Sequence, residues 1–291
     1  MAGIHSLRDL PPERRQRLVN DPARTGQYPL LGYGFQMGTA EQARKETFCQ
    51  MLKYIFCPFF TTRSFIFVIT VIDIVIYFVT VFYDYDSSNF LEPTNHSLDE
   101  FGAKDPEKMQ QDYEMWRWLT PMVLHANLTH ITFNMIMQVI LGFRLEPTVG
   151  TKRTIIVYVV SGMGGILFSC LVSPTTMAVG ASTSIFGITS AMLAWIIMNW
   201  TSLEGDVYRT ITLIWLIMIL IFNLIMGFAS PLVDNWGHFG GLIVGFGMGY
   251  AVFEYIAPPN RKEKNMKIGM AGAVGFYFVL GFILFYTVVK T

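Results

Sequence analysis

Long apolar stretches separated by short polar segments make up most of the chain after residue 63. A helix needs about 20 apolar residues to cross the hydrocarbon core of a bilayer. Seven stretches approach that length, at residues 64–83, 119–143, 154–172, 182–200, 211–228, 236–256 and 269–289. Because irregular backbone is costly in lipid, stretches with so little chain between them must pack together as helices. The pattern predicts an all-α fold, a polytopic membrane helical bundle.

The composition supports a membrane protein and argues against other classes. Of the 291 residues, 52% are hydrophobic and 14% are charged, whereas soluble domains carry about 25% charged residues. The formal net charge of zero gives no basis for a nucleic-acid partner, and the three cysteines have neither disulfide nor metal spacing. We expect the lipid bilayer as a partner, with no nucleic acid, no metal and no cofactor.

Charge divides the chain into a tail, a membrane core and a terminal span. Residues 1–63 are polar and basic and lack the apolar core of a signal peptide, so they are predicted to form a cytosolic tail. Residues 64–256 form the six-span core, 257–267 a basic cytosolic loop, and 268–291 the seventh span and C-terminus. A cytosolic N-terminus places the basic loops on the cytosolic side, as the positive-inside rule prefers. It leaves the acidic loop 84–118 outside.

The sixth stretch repeats glycine every four residues, at Gly237, Gly241, Gly245 and Gly249. At about 3.6 residues per turn these glycines form one slowly drifting stripe, and His238 projects along the same face. Small residues at this spacing let two helix backbones approach closely. Taken alone, the stripe is typical of a simple packing seam with a hydrogen-bonded histidine. It also brings His238 against whichever helix packs there.

The fourth stretch is rich in small residues and begins at Ser182, after a polar turn. A serine in this place is commonly a helix cap. The functional interpretation is that Ser182 is a nucleophile and His238 its general base, since a serine hydroxyl is weakly nucleophilic until a neighbour takes its proton. Both residues are predicted near the outer ends of their spans. Ser184 points to another side of the helix.

The second stretch carries His130 and Asn134 on one helical face. With the backbone amide of Ser182 they could form an oxyanion hole; the alternatives are interhelical hydrogen bonds, a metal site or a proton relay. His125 has no acid at zinc-protease spacing, which argues against zinc chemistry. Asp73, within the first stretch, is interpreted as hydrogen-bonded in the bundle, with a proton relay as the alternative.

Together these residues resemble the rhomboid family of intramembrane serine proteases. The resemblance covers the six-span core, about residues 64–256, and its five motifs occur in family order. They are "WR" (Trp116, Arg117), "HANLTHITFN" (His125, His130, Asn134), "GFRLE" (Gly142, Glu146), "GAS" (Gly180 to Ser182) and "GHFGGLIVG" around His238.

The resemblance implies a catalytic role for Ser182 as nucleophile and His238 as its base, in a dyad without a third acidic member. It implies that His130, Asn134 and the Ser182 amide line the oxyanion hole, and that Phe186 stacks on His238. Residues expected to support the site are Phe186, His125, Gly180, Gly237, Gly241 and Gly245.

The resemblance also implies structural roles. Trp116 and Arg117 would anchor the outer loop at the membrane interface, and Gly142 with Glu146 would fasten the inner end of the second span. The chain departs from the family at Thr183, where glycine usually follows the serine.

The implied function is hydrolysis of a peptide bond in or near the outer part of the transmembrane helices of single-span substrate proteins. By analogy with the family, the fifth stretch and the loop 229–235 would form the gate for substrates. Two alternatives are a non-catalytic rhomboid-like adaptor that binds transmembrane clients, and a transporter. The seventh span after the six-span core resembles the six-plus-one arrangement of eukaryotic rhomboids of the secretory pathway, whereas the mitochondrial type carries its extra span in front. The resemblance therefore implies the secretory pathway or plasma membrane rather than the mitochondrial inner membrane.

Overall fold

The computed structural model describes residues 59–203, 207–228 and 233–291. Residues 1–58 of the predicted cytosolic tail lie outside the described residues, as do residues 229–232 of the predicted gate loop. Statements about the fold below refer to the described part of the chain.

The described residues form nine α-helices and no β-strand. Two short 3₁₀ turns, Met115–Trp118 and Thr120–Val123, lie in the segment 84–127, which is called the outer loop after its predicted side of the membrane. The helices are α1 (Phe65–Tyr83), α2 (Asn95–Glu100), α3 (Pro106–Gln111), α4 (Leu128–Val149), α5 (Thr151–Val172), α6 (Ser182–Met198), α7 (Val207–Phe228), α8 (Asn235–Val252) and α9 (Arg261–Thr287). The predicted all-α fold is confirmed.

Four of these helices, α1, α4, α5 and α9, are long and apolar enough to cross a membrane. The apolar helix α6 is shorter, as is the apolar part of α7. The protein is therefore an integral membrane protein built as a helical bundle. A helix occupies each of the seven predicted stretches, while their number as spans stays a prediction.

The predicted start of the second span is wrong by nine residues. The helix begins at Leu128, not near residue 119, because the side chain of Asn127 accepts a hydrogen bond from the His130 amide at 2.8 Å and caps it. The preceding residues fold into the outer loop, where Met122 and Leu124 are buried. In the sequence, apolar loop residues that pack against protein cannot be distinguished from the apolar residues of a membrane span, which is why the span was predicted to start too early.

The end of α4 fixes the start of α1. The Glu146 carboxylate accepts hydrogen bonds from the backbone N–H groups of Phe65 at 2.9 Å and Ile66 at 3.0 Å. These are orphan donors of the first helical turn. Gly142, one turn earlier on α4, leaves room for the Ile66 side chain. The two residues of the "GFRLE" motif thus join α1 to α4.

Helix α8 lies at the centre of the bundle, where its most extensive contacts are with α6 and α5. A Cβ on Gly241 would collide with the backbone of Thr183, and one on Gly245 would collide with the backbone of Gly187. The glycine stripe of α8 is therefore in backbone contact with α6. This confirms the packing that the four-residue repeat predicted.

A second glycine seam, which the four-residue repeat did not predict, joins α8 to α5. A Cβ on Gly240 would lie 3.0 Å from Gly165 Cα, and one on Gly164 would lie 2.6 Å from the Val244 side chain. The glycines of α5 were a signal for this contact, because they too are small residues inside an apolar helix.

Asp73 is hydrogen-bonded within the bundle, as predicted. Its Oδ2 accepts from Gln138 Nε2 at 2.8 Å, and the same amide nitrogen donates to Thr70 at 3.0 Å. The Tyr158 hydroxyl donates to Gln138 Oε1 at 2.8 Å. This buried network ties α1, α4 and α5 together.

Candidate active site

Ser182 and His238 meet between α6 and α8. The distance from Ser182 Oγ to His238 Nε2 is 2.7 Å. Ser182 is the first residue of α6, and no side chain caps this helix. The capping interpretation of Ser182 is therefore wrong, since its hydroxyl bonds to the imidazole and not to a backbone amide.

The His238 ring is buried and held by an aromatic neighbour. Phe186, one turn after Ser182, stacks on it with ring centroids 4.4 Å apart and planes 14° from parallel. Among the described residues, His238 Nδ1 has no hydrogen-bond partner. When Nε2 accepts the serine proton, Nδ1 carries the other one. The described part of the chain thus holds a serine–histidine pair without an acid bonded to the ring.

Gly180 shapes the space in front of Ser182. Its φ of 136° lies in a region that L side chains rarely adopt. A Cβ on Gly180 would be 2.9 Å from His130 Nε2 and 3.3 Å from Ser182 Oγ. The Gly180 amide donates to the Pro121 carbonyl at 2.8 Å, which fixes this turn to the outer loop. Only glycine fits where the serine and His130 converge.

The hydrogen bonds of His130 define its tautomer. The Ala126 amide donates to His130 Nδ1 at 3.3 Å, so Nδ1 is an acceptor and Nε2 carries the proton. That Nε2–H group faces the space beside Gly180 and Ser182. His125, fully buried, packs edge-on against this ring with centroids 5.3 Å apart.

Asn134 lies one turn further along α4 and is buried. Its Nδ2 donates to the His130 carbonyl at 2.9 Å. An Asn amide has two N–H groups. One bonds within α4, and the second is the one that could serve a ligand.

The Thr183 side chain packs against glycines of two neighbouring helices. A Cβ on Gly165 of α5 would lie 3.0 Å from Thr183 Cβ, and one on Gly237 of α8 would lie 3.0 Å from Thr183 Cγ2. The side chain therefore fills the junction of three helices. A packing residue thus stands at the position where the resemblance led us to expect glycine.

Arg117 is bound inside the outer loop, whereas Trp116 is 54% exposed. The guanidinium Nη1 donates to the Ala103 carbonyl at 2.6 Å, and Nη2 lies 3.1 Å from an Asp99 oxygen. Partial burial acts to raise the pKa of Asp99, but the hydrogen bond from Lys108 and the charges of Arg117 and Lys108 hold it below its usual value. The role at the membrane interface that was expected for both residues fits Trp116, which is exposed, and does not fit Arg117, which is buried.

A cavity beside the serine contains two charged residues that were not predicted from the sequence, Lys104 and Asp234. Its lining residues are Lys104, Pro121, Ile166, Ala178, Val179, Gly180, Ser182, Thr183 and Asp234. Asp234, which immediately precedes α8, was recognisable as a helix cap. Nothing in the sequence paired it with Lys104, which lies far away along the chain.

The fold and this site define a helical membrane protein with a partly buried serine–histidine pair. Residues 112–255 match the family model of the rhomboid domain. Rhomboid-like protease 2 of Toxoplasma gondii is 30% identical over 86% of this chain and 85% of its own length. The chain belongs to the rhomboid family.

Other curated relatives match over shorter regions. RHOMBOID-like protein 6, mitochondrial, of Arabidopsis thaliana is 38% identical over 63% of this chain and 58% of its own length. RHOMBOID-like protein 7 of the same plant is 34% identical over 66% of this chain and 60% of its own length. The chain thus spans less than two thirds of these relatives.

Proposed function

We propose that the protein is an intramembrane serine endopeptidase. It would hydrolyse a peptide bond in or near the outer part of the transmembrane helices of single-span substrate proteins. The observation that carries the proposal is the 2.7 Å contact between Ser182 Oγ and His238 Nε2. A family whose members include proteins named rhomboid-like proteases supports it.

The proposed reaction has two steps, both of which use the same pair. Ser182 Oγ attacks the scissile carbonyl carbon while its proton passes to His238 Nε2. The tetrahedral intermediate collapses, the C–N bond breaks, and His238 protonates the leaving amine. A water molecule, deprotonated by His238, then hydrolyses the acyl-enzyme and restores Ser182. No metal or cofactor enters this sequence.

In the proposed mechanism, three donors would stabilise the oxyanion of the intermediate. The Ser182 amide is one of the orphan N–H groups of the first turn of α6. His130 Nε2–H faces the same space, and Asn134 would add its second amide proton. Preorganised donors of this kind typically contribute about 10²–10³-fold each to the rate.

We propose that the substrate reaches the site past α7. This helix contacts α6 and α8 far less extensively than those two contact each other. Its exposed apolar residues are Ile211, Ile214, Trp215, Ile217, Met218, Ile221, Phe222 and Ile225. A helix hides its carbonyls in hydrogen bonds, so segments with glycine or proline near the scissile bond, which unwind easily, would be preferred.

Cleavage of a co-expressed single-span reporter tests this function. Ser182→Ala and His238→Ala are each expected to abolish the product, because each removes one half of the pair. Ser190→Ala is the matched control, since among the described residues its hydroxyl bonds only to the Gly187 carbonyl of its own helix. Product formation by Ser182→Ala would refute the protease. A wild type that binds the reporter without cutting it would establish the adaptor instead.

The proposed topology has a cytosolic N-terminus and an odd number of spans. The C-terminal part of α9 contacts the loop that follows α1: Phe282 packs on Trp118 with ring centroids 4.9 Å apart, and Gln110 bonds to the Phe285 carbonyl. The start of α1 and the end of α9 therefore lie at opposite ends of the bundle. A C-terminal tag would be protected from protease added on the cytosolic side, where an N-terminal tag is cut.

For the compartment, we propose the secretory pathway or the plasma membrane. The support is α9 (Arg261–Thr287), which follows the core and does not precede it. The name of one Arabidopsis relative places that protein in mitochondria. Co-localisation of the tagged full-length chain with compartment markers tests the proposal. Overlap with markers of the secretory pathway or the plasma membrane is expected, and a mitochondrial pattern would overturn it.

A further inference from the structure

Lys104 is a buried cation that the proposed reaction does not use. Its side chain is only 1% exposed. The ammonium group donates to Ser169 Oγ at 2.6 Å and to the Ser173 carbonyl at 3.5 Å, both at the outer end of α5. It also lies 3.8 Å from Asp234 Oδ2. Burying a charge is expensive unless it is paired and hydrogen-bonded, as this one is.

Asp234 carries the ion pair to the helix of His238. It is the N-cap of α8, and its Oδ1 accepts a hydrogen bond from the Gly237 amide at 2.9 Å. Its backbone carbonyl accepts from the His238 amide at 3.1 Å. The position of Asp234 therefore sets the first turn of α8, the turn that holds the imidazole.

The backbone of Lys104 is joined to the segment that leads to Ser182. Its amide donates to the Ala178 carbonyl at 2.9 Å, and the Ala178 amide donates back at 3.3 Å. Four residues later the chain reaches Ser182, after the left-handed turn at Gly180. Lys104 thus makes two connections. Its backbone binds the segment that leads to Ser182, and its side chain binds Asp234, the cap of the helix that carries His238.

We propose that Lys104 is a positioning residue for the serine–histidine pair. Its ion pair with Asp234 holds the chain before Ser182 and the first turn of α8 at a fixed separation. A displacement of about 1 Å between reacting groups can cost about a hundredfold in rate. The inference rests on the proposed function, because the separation affects a rate only if Ser182 and His238 react together.

A double-mutant cycle on the full-length protein in detergent tests this role. The variants are Lys104→Met, which keeps the length of the side chain, Asp234→Asn, which keeps a capping oxygen, and the double variant. Reporter cleavage gives kcat and KM, and the labelling rate by a serine-directed fluorophosphonate probe monitors the pair without a substrate helix. Lys108→Met is the control, because Lys108 forms a more exposed ion pair with Asp99 in the same loop.

Each single variant is expected to lower kcat and the labelling rate by about tenfold or more with little change in KM. Asp234→Asn leaves the buried Lys104 charge without its partner, and Lys104→Met leaves the partly buried Asp234 charge unpaired. The double variant should recover much of the loss, since neither charge remains. Lys104→Arg should retain more activity than Lys104→Met. Lys108→Met should match the wild type.

Several results would overturn the inference. Single variants as active as the wild type would do so, as would a double variant whose loss is the product of the single losses. If Lys104→Met does not fold, Asp234→Asn alone decides, because its capping oxygen preserves the helix start. A wild type that neither cleaves nor labels would refute the proposed function itself, which separates the two failures.

Discussion

Ser182 shows how one hydroxyl can be placed for either capping or chemistry. At the first position of α6 its Oγ lies 2.7 Å from Nε2 of His238, and Phe186 stacks on the imidazole ring of His238. The sequence predicted this contact because Ser182 and His238 are expected at similar depths in the membrane, and because the glycine stripe around His238 lets another helix come close. It could not predict the Lys104–Asp234 ion pair, because two single charges in separate loops follow no periodicity.

Thr183 is expected to stabilise the junction of α5, α6 and α8. Thr183→Gly removes a side chain that packs against Gly165 and Gly237, which should lower the free energy of unfolding by about 1–2 kcal/mol. Thr183→Val keeps the shape and removes a hydroxyl for which the described residues offer no hydrogen-bond partner. It should be as stable as the wild type or more so.

Thermal unfolding in detergent measures both effects. A Thr183→Gly variant as stable as the wild type would contradict the packing role. So would a valine variant that loses as much stability as the glycine variant.

At the scale of the helix, the seam between α6 and α8 determines whether the pair can form. Gly245→Ala places a methyl group against the backbone of Gly187, which cannot rotate away. The two helices must then separate, and reporter cleavage should fall by about tenfold or more. Gly275→Ala is the matched control, since a Cβ on that glycine of α9 meets nothing within 4 Å.

The measurement is reporter cleavage at equal amounts of folded protein, with helix content checked by circular dichroism. Equal activity in the two alanine variants would show that α6 and α8 need not be in backbone contact.

The helices themselves were predictable to different degrees. The spacing of glycines on α8 was sufficient to predict its contact with α6, because small residues at four-residue spacing let two helix backbones touch and α6 is itself rich in small residues. The start of α4 was not predictable in this way, because an apolar loop packed against protein and an apolar span have the same composition. Asn127 was the available signal, as a helix-capping residue type directly before Leu128.

At the scale of the whole molecule, the apolar pattern predicted the bundle but not the environment of each helix. Helices α6 and α8 are not among the four that are long and apolar enough to cross a membrane. Both are lined with buried residues, so protein and not lipid surrounds much of their surface. The division into a tail, a core and a terminal span stays a prediction, since much of the tail lies outside the described residues.

The most direct test of the serine–histidine pair is covalent labelling of the purified full-length protein with a fluorophosphonate probe, followed by mass spectrometry of the labelled peptide. One probe molecule should attach to Ser182, because only a serine with an adjacent base is nucleophilic enough to react. Ser182→Ala and His238→Ala should remain unlabelled, and Ser190→Ala should label at the wild-type rate. A probe attached to another residue, or labelling that survives His238→Ala, would contradict a serine activated by His238.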